Sequence, residues 1–501
     1  MSPRHLRIPP LGAEASPGLF LGALLLVWLV SCVPLAFATY PPLLDYPFHL
    51  ARVHVLAEWS EVPWFHQAYR PGSFFLPNVG WDTLMLGLSA VLPLDVAGRV
   101  FIALVFLLIL SGCAFLNWSL YRRLTLWPLV CSIFVYNWIL LLGFLSYLLG
   151  LGVMLWGVGA WIATSRCRAA TQIGIGAAFG VLLFFCHLSA FGLFALGVSG
   201  YELYRSAQQH ATLLRASAAT AAKLAPVFAA PVIFFFASAT GESTTAEVQW
   251  LPWTKLFAFR TLFSASWLID VLLWPALIFM ALWFKRRDIR VDRRMYLAIL
   301  LLLIAFVALP ESLITGWYVS TRLIIGIALM VLAASYPASG KPLNSPWITF
   351  TLASFLLYRS AALSLTWQSH AELMAELTSA FDSLPAEAVV FSATSFDYPP
   401  AGRRDRMQPP IWHWANLAVL RTDALVPSMY AEPGQQPVRI SERFAPLYEY
   451  QGTDPLTLSD HDLPGILARI AELTGSLGLE DHPVFLLILD PRDSDSEPGR
   501  A

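Results

Sequence analysis

The sequence is poor in charge. Charged residues make up 13% of its 501 residues, whereas about a quarter of a soluble domain is charged. Hydrophobic residues make up 57%, and apolar runs of about twenty residues recur along the chain. This composition excludes an ordinary soluble domain, and a net charge of −1 gives no ground for nucleic-acid binding. We therefore expect an integral membrane protein, mainly α, built as a polytopic helical bundle.

Cysteine is also scarce, and its placement excludes two kinds of site. Of the five cysteines, the last is Cys186, so the C-terminal region cannot contain a disulfide. No pair has the spacing of a cysteine metal site. The sequence also has no internal repeat, which many secondary transporters have.

Basic residues predict how the chain is threaded through the membrane. Arg4 and Arg7 place the N-terminus in the cytoplasm, and Lys285-Arg286-Arg287 forms the strongest cytoplasmic cluster. Eleven spans then satisfy every basic cluster, with the C-terminus outside. Seven of them lie at about 18–38, 98–118, 219–239, 266–284, 295–309, 322–336 and 345–366. Two more lie within 127–163, with a turn near Gly143-Phe144, and the last two lie within 171–204.

The predicted transmembrane domain, 1–366, includes a first periplasmic loop at 39–96, with interfacial helices. The remaining chain changes in character, because it is charged and has no span. We expect a small periplasmic α/β domain at 367–490 and a disordered tail at 491–501. Its predicted elements are helices at 369–384 and 463–475 and strands at 388–391 and 484–489.

The first periplasmic loop opens with an acid, a histidine and an arginine, at Asp45, His49 and Arg52. Pro47 suits the first turn of a helix, so a helix should begin there and run through Trp59. His49 and Arg52 are three residues apart and share a face of that helix. Asp45 precedes the N-terminus, where the helix dipole favours a carboxylate. Either Asp45 only complements the dipole or it has a chemical role.

Other polar residues near the outer face are further candidates, each with a structural alternative. Arg322 either binds a phosphate or anchors its helix at the interface. Lys255 is a second cation and has Trp250 and Trp253 beside it, as in an aromatic belt. The remaining candidates are His187 between two half-length spans, Glu311 in an outer loop, and Trp412 and His413, which either bind a sugar or pack in a core.

The layout resembles that of the GT-C membrane glycosyltransferases, which include protein O-mannosyltransferases and enzymes that decorate lipid A. Their fold has a first span, an outer loop with an early acid, many further spans and a C-terminal periplasmic domain. The resemblance implies a polyprenyl-phosphate sugar as donor. It also implies Asp45 as general base or metal ligand, and Arg322 as the arginine that meets the donor phosphate. Many members have paired acids where this chain has Asp45-Tyr46.

The chemistry of sugar transfer gives each candidate a role. A base such as Asp45 takes the acceptor proton, with His49 beside it, and Arg52, Lys255 or Arg322 offers positive charge to the departing phosphate. A divalent cation, Mg²⁺ or Mn²⁺, would bind Asp45 and His49 if one is used. The acceptor would be an envelope glycan, lipid or protein, and the location the bacterial inner membrane. The alternative is a non-enzymatic membrane protein, either a transporter of lipid-linked glycans or an envelope assembly partner.

Overall fold

The computed structural model describes residues 11–238, 240, 248–262, 289–313, 316–337, 346–394, 410–432, 434–458 and 463–489. Several predictions lie outside these residues. They are the cytoplasmic placement of Arg4 and Arg7, the span at 266–284, the basic cluster that follows it, and the tail at 491–501.

The described chain is mainly helical. Its α-helices are α1 (Pro17–Cys32), α2 (Tyr46–Ala57), α3 (Phe65–Ala68), α4 (Gly80–Ser89), α5 (Leu94–Tyr121), α6 (Trp138–Leu141), α7 (Leu145–Ala163), α8 (Ala169–Cys186), α9 (Leu188–Ala207), α10 (Leu213–Ala237), α11 (Pro252–Phe257), α12 (Tyr296–Ala308), α13 (Leu323–Ala333), α14 (Pro346–Asp382), α15 (Leu417–Thr422), α16 (Ala445–Gln451) and α17 (Leu463–Ser476). Short 3₁₀ helices lie at Val33–Ala36, Trp127–Phe134, Ala258–Leu262, Arg293–Met295, Pro410–Asn416 and Glu442–Phe444.

Strands are few and short. They are β1 (Tyr69–Pro71), β2 (Ile289–Val291), β3 (Ser335–Pro337), β4 (Val389–Thr394), β5 (Val438–Ile440), β6 (Leu456–Thr457) and β7 (Val484–Leu489). The strands β6, β4 and β7 form a parallel sheet in that order, with β4 in the centre. The antiparallel pairs β1–β5 and β2–β3 are separate. Because every residue of β4 is buried, this strand lies at the middle of a core.

Six helices in the described ranges are long and apolar enough to cross a membrane. They cover Pro17–Ala36, Leu94–Tyr121, Leu145–Ala163, Ala169–Cys186, Leu213–Ala237 and Ile348–Asp382. A protein with several such helices is a membrane protein in its broad class. The count of eleven spans is not confirmed, because several of the predicted spans coincide with shorter helices such as α12 and α13.

Of the two spans expected within 127–163, the second is present as α7, whereas the segment before it is not a continuous helix. Its first part is a buried 3₁₀ helix, Trp127–Phe134, followed by the four-residue α6. The Asn137 side chain caps α6 by accepting from the Leu140 N–H at 3.0 Å. The predicted turn near Gly143-Phe144 is present, and Gly143 has a φ of +84° there. This turn brings backbone atoms beside the first loop.

The first loop and the C-terminal residues share a second hydrophobic core, separate from that of the bundle. In this core Val55 and Phe65 from the first loop lie with β4 and with α17. Strands β1 and β5 also pair across these two regions, with Tyr69 opposite Ile440. We call residues 383–489 the C-terminal unit. Helix α14 runs from the last predicted span directly into the helix expected at 369–384, so the two form one helix.

Candidate functional site

Asp45 is the N-cap residue of α2, as its position before Pro47 predicts, and the helix runs from Tyr46 to Ala57. Its carboxylate makes no capping hydrogen bond, so the side chain is not used to close the helix end. The Asp45 N–H donates to the Leu142 carbonyl at 3.2 Å. The side chain remains 24% exposed. An acid that is fixed by its backbone and still partly open can meet a substrate.

The turn at Gly143 packs directly on Asp45. A Cβ at this position would lie 2.8 Å from the Asp45 nitrogen and 3.0 Å from its Cβ. Real side chains do not approach so closely, and the positive φ of Gly143 also disfavours a side chain. Glycine is therefore required here by both conformation and space. The close contact between Gly143 and Asp45 fixes the position of the acid.

His49 and Arg52 do share one face of α2, as predicted, but they form a buried chain of polar contacts. Arg52 donates from Nε to Asp82 Oδ1 at 2.6 Å and from Nη2 to His49 Nδ1 at 2.9 Å. Since Arg52 can only donate, His49 Nδ1 accepts, and His49 Nε2–H donates to the Gly143 carbonyl at 3.1 Å. Burial and the charge of Arg52 hold the pKa of His49 well below its ordinary value.

These contacts bear on the predicted roles of His49 and Arg52. Both nitrogens of His49 are engaged, so it has none available to act as a base or to bind a metal. The Arg52 residue is only 1% exposed, and Asp82 is fully buried. Since Asp82 already neutralises the charge of Arg52, the geometry supports a structural role for Arg52. Asp82, which no sequence signal identified, is its partner.

The residues around Asp45 do not fit a divalent cation. In the described part of the chain, no three His, Cys, Asp or Glu side chains are placed as a group that can hold a metal. His49 was the expected second ligand, and Arg52 and Gly143 occupy its nitrogens. We therefore derive no step through a metal.

Arg322 lies on the other side of the same turn. Its guanidinium is stacked over the Phe144 ring at 4.6 Å and donates from Nε to the Tyr318 carbonyl at 3.2 Å. Nη2 donates to the Trp317 carbonyl. Arg322 is close enough to lower the pKa of Asp45. The structure thus places the two residues to which the resemblance gave roles against neighbouring residues of one turn, Gly143 and Phe144.

His187 contacts Arg322, with its Nε2 3.1 Å from Arg322 Nη1. It is also the N-cap of α9, where its Nδ1 accepts from the Ser189 N–H at 3.1 Å. A neutral imidazole accepts at only one nitrogen, and arginine only donates. The two contacts cannot both be hydrogen bonds, so one nitrogen of His187 faces an N–H group to which it offers no acceptor.

The electrostatics at Asp45 favour proton transfer near neutral pH. Burial, together with the charge of Asp454, raises the pKa of Asp45 from 3.8 to about 7. Arg52 and Arg322 act in the opposite direction and are the smaller effects. A carboxyl with this pKa is divided between its two protonation states at neutral pH. Such a match to the working pH is what a general base requires.

The C-terminal unit reaches the same site. His413 Nε2 lies 3.7 Å from Asp45 Oδ1. Its neighbours Trp412 and Trp414 are both buried, and Trp412 Nε1 donates to Asp454 at 2.8 Å. The two tryptophans therefore match the core-packing alternative, whereas His413 faces the acid.

Lys255 is held at the end of α12, whereas Glu311 lies beside the segment that carries Tyr318 and Arg322. Lys255 Nζ donates to the carbonyls of Phe306, Val307 and Leu309 at 2.8, 2.7 and 2.5 Å, at the end of α12. These contacts use the three donors of an ammonium group, so the geometry favours a helix cap over a phosphate ligand. Glu311 is 2% exposed and accepts from the Ser320 hydroxyl. Its Oε1 has no hydrogen-bond partner among the described residues.

Tyr318 is a further site residue that the sequence did not reveal. Its φ is +59°, which a bulky side chain rarely adopts. Its ring packs edge-on against Trp138 at 4.7 Å, and its carbonyl accepts from Arg322. Burial, with Glu311 and Asp45, raises the pKa of its phenol to about 12. Strained backbone of this kind is concentrated at functional sites.

Comparison with known families and with curated proteins found no significant match to this sequence.

Proposed function

We propose that this protein is a membrane glycosyltransferase that moves a sugar from a polyprenyl-phosphate donor to an acceptor hydroxyl of the cell envelope. One observation carries the proposal. A partly exposed acid whose pKa is raised to about 7, Asp45, packs on Gly143, and a buried arginine, Arg322, packs on the next residue of the same turn, Phe144. Base and cation are what transfer from a phosphate leaving group requires.

The reaction divides between these two residues. Asp45 takes the proton of the acceptor hydroxyl as that oxygen attacks the anomeric carbon of the sugar. The bond from this carbon to the phosphate oxygen breaks, and its electron pair leaves with the phosphate. Arg322 stabilises the charge that develops there. This stabilisation of the transition state is effective because the charged groups are already in place before the substrate binds.

Two features support Arg322 as the anion ligand. Its described contacts use one N–H at each nitrogen, whereas a guanidinium has five N–H groups. When His187 Nε2 carries its proton, it cannot accept a hydrogen bond from Arg322, so two donors face each other. A phosphate oxygen between the two residues would accept from both.

The experiment is an Asp45→Asn exchange in cells that carry the gene, with mass spectrometry of envelope lipids and polysaccharides. We expect one glycan modification to disappear. The matched control is Asp95→Asn, because Asp95 is a half-buried acid that pairs with Arg99 at 2.9 Å and does not face the site. An unchanged glycan profile with normal amounts of the Asp45→Asn protein would contradict the proposal and favour the non-enzymatic alternative.

Arg322→Lys supplies a second test. Lysine keeps the positive charge but loses the planar fork that binds phosphate through two bonds. We expect the same glycan to fall by about tenfold or more, since one charge-assisted hydrogen bond contributes about 1.5–3 kcal/mol. Full product from this variant would remove Arg322 from the mechanism.

A further inference from the structure

His413 is held rigidly at the site by the C-terminal unit. It lies at a kink within the 3₁₀ segment Pro410–Asn416, and its two tryptophan neighbours are buried in different hydrophobic cores. Its ring stacks on Phe48 of α2, with the centroids 4.0 Å apart and the planes 32° apart. The ring therefore has little freedom to turn, and its nitrogens are fixed relative to Asp45.

The two ring nitrogens of His413 are in different situations. Nε2 faces Asp45 Oδ1 at 3.7 Å, slightly beyond hydrogen-bond distance. Nδ1 is buried and has no hydrogen-bond partner among the described residues. An orphaned acceptor costs less than an orphaned N–H, so the proton belongs on Nε2, where it points at the carboxylate. Burial lowers the pKa of His413 to about 3, which keeps the ring neutral.

We propose that His413 is a positioning residue for Asp45, and that the C-terminal unit thereby completes the transferase site. Its Nε2–H holds the ionised carboxylate by one oxygen and leaves the other oxygen for the acceptor hydroxyl. The gap of 3.7 Å closes when substrate fills the site, as such contacts commonly do. This inference rests on the proposed function for its purpose, but the contact itself can be measured independently.

Three of the other groups around Asp45 are engaged with other partners. The titratable and charged groups around it are His413, Asp454, Arg52, Arg322, Tyr318 and Tyr430. Asp454 is an acceptor, bound by the Trp412 indole. Arg52 is held by Asp82 and His49. Tyr430 donates its hydroxyl to Gln435 at 2.6 Å.

The test is an infrared titration of Asp45 in the full chain reconstituted in lipid nanodiscs. The difference spectrum between wild type and Asp45→Asn isolates the carboxyl band of this residue, and its midpoint is followed against pH. His413→Phe keeps a ring on Phe48 but removes the donor. We expect the midpoint to rise by up to about one pH unit, because the ionised form loses the N–H dipole that faces Oδ1 at 3.7 Å.

Two further variants decide whether the donor or the packing matters. His413→Gln retains an N–H donor, and we expect its midpoint to stay near that of wild type. The matched control is His482→Phe. His482 also lies in the C-terminal unit and stacks on a first-loop aromatic, Trp64, at 4.4 Å, but it does not face Asp45. We expect no shift in this control.

The outcomes are distinct. An unchanged midpoint in His413→Phe, or equal shifts in the Phe and Gln variants, would overturn the positioning role. Thermal melts show whether each variant is folded. If the Phe variant is not folded, the titration midpoint of Asp45 in the Gln variant decides the test. Loss of the glycan in Asp45→Asn without any His413 effect would remove only this inference. A shift with His413→Phe and an unchanged glycan in Asp45→Asn would uphold the contact and remove the transferase.

Discussion

Removing the Asp82 carboxylate should destabilise the protein more than removing any exposed acid. Asp82 is fully buried, and it is bound by the Arg52 guanidinium at 2.6 Å. The Asp82→Asn exchange keeps the shape of the side chain but leaves that guanidinium buried without a counter-charge. Breaking a buried pair in this way costs about 3–5 kcal/mol. The free energy of unfolding should fall by that amount.

The structure gives reasons to expect the upper part of this range. Arg52 Nη1 and Asp82 Oδ2 already have no hydrogen-bond partner among the described residues. The pair is therefore incompletely satisfied, and Asp45, another acid that interacts with Arg52, is divided between its protonation states at neutral pH. The displaced Arg52 would also release His49 Nδ1, which it binds at 2.9 Å. Because His49 donates to the Gly143 carbonyl, the effect should reach Asp45 as well.

The assay is denaturant unfolding of the purified protein in micelles, followed by tryptophan fluorescence. The control is again Asp95→Asn, since Asp95 and Arg99 are each 27% exposed and such pairs contribute about 0–1 kcal/mol. The double variant Asp82→Leu with Arg52→Met should recover most of the loss, because it leaves no unpaired charge. If Asp82→Asn costs no more than Asp95→Asn, the buried pair is not what holds this helix.

Three further predictions use the same preparations. Asp45→Asn should stabilise the protein at pH 8 but not at pH 4. Because the pKa of Asp45 is raised, the folded state binds more protons than the unfolded state, and the stability of the wild type falls as pH rises from 3.8 to about 7. Thermal melts across this pH range measure the difference in stability between the variant and wild type. A stabilisation by Asn that grows toward acidic pH would refute the prediction. Gly143→Ala should cost about 1–3 kcal/mol in the same unfolding assay, whereas Gly87→Ala, which meets nothing within 4 Å, should be neutral or stabilising; equal effects would contradict the close approach to Asp45. Lys255→Met should cost about 0.3–1 kcal/mol through the end of α12 and leave the glycan profile unchanged, so a lost glycan would restore Lys255 as a phosphate ligand.

Local rules predicted the start of α2 well. Proline at its second position and an acid before it are signals read over a few residues, and the helix begins within one residue of the expected place. The shared face of His49 and Arg52 follows from helical geometry alone, and their hydrogen bond confirms it. The turn at Gly143 was also correctly predicted. These features depend on near neighbours in sequence.

The partners of these residues depend on the whole fold. Asp82 is thirty positions from Arg52, and nothing in its own neighbourhood distinguishes it from an exposed acid of an interfacial helix. His187 and Arg322 are 135 positions apart. The aromatic neighbours of Lys255 predicted a belt, and a cation–π contact with Trp250 at 5.8 Å is present. Its bonds to three carbonyls of α12 require knowledge of where that helix ends.

The single acid in the first-loop motif has a structural cause. Where many GT-C enzymes have a second acid, this chain has Tyr46, which is fully buried and packs edge-on against Trp81 at 5.9 Å. Gly98 of α5 makes the room, since a Cβ there would lie 2.0 Å from the Tyr46 hydroxyl oxygen. A carboxylate at position 46 would be buried beside these groups without a partner. Position 46 is committed to packing, and Asp82 is neutralised by Arg52, so neither of them supplies a second carboxylate for the proposed transfer. That constraint favours a one-base transfer, in which the groups that hold Asp45 in place matter as much as the acid.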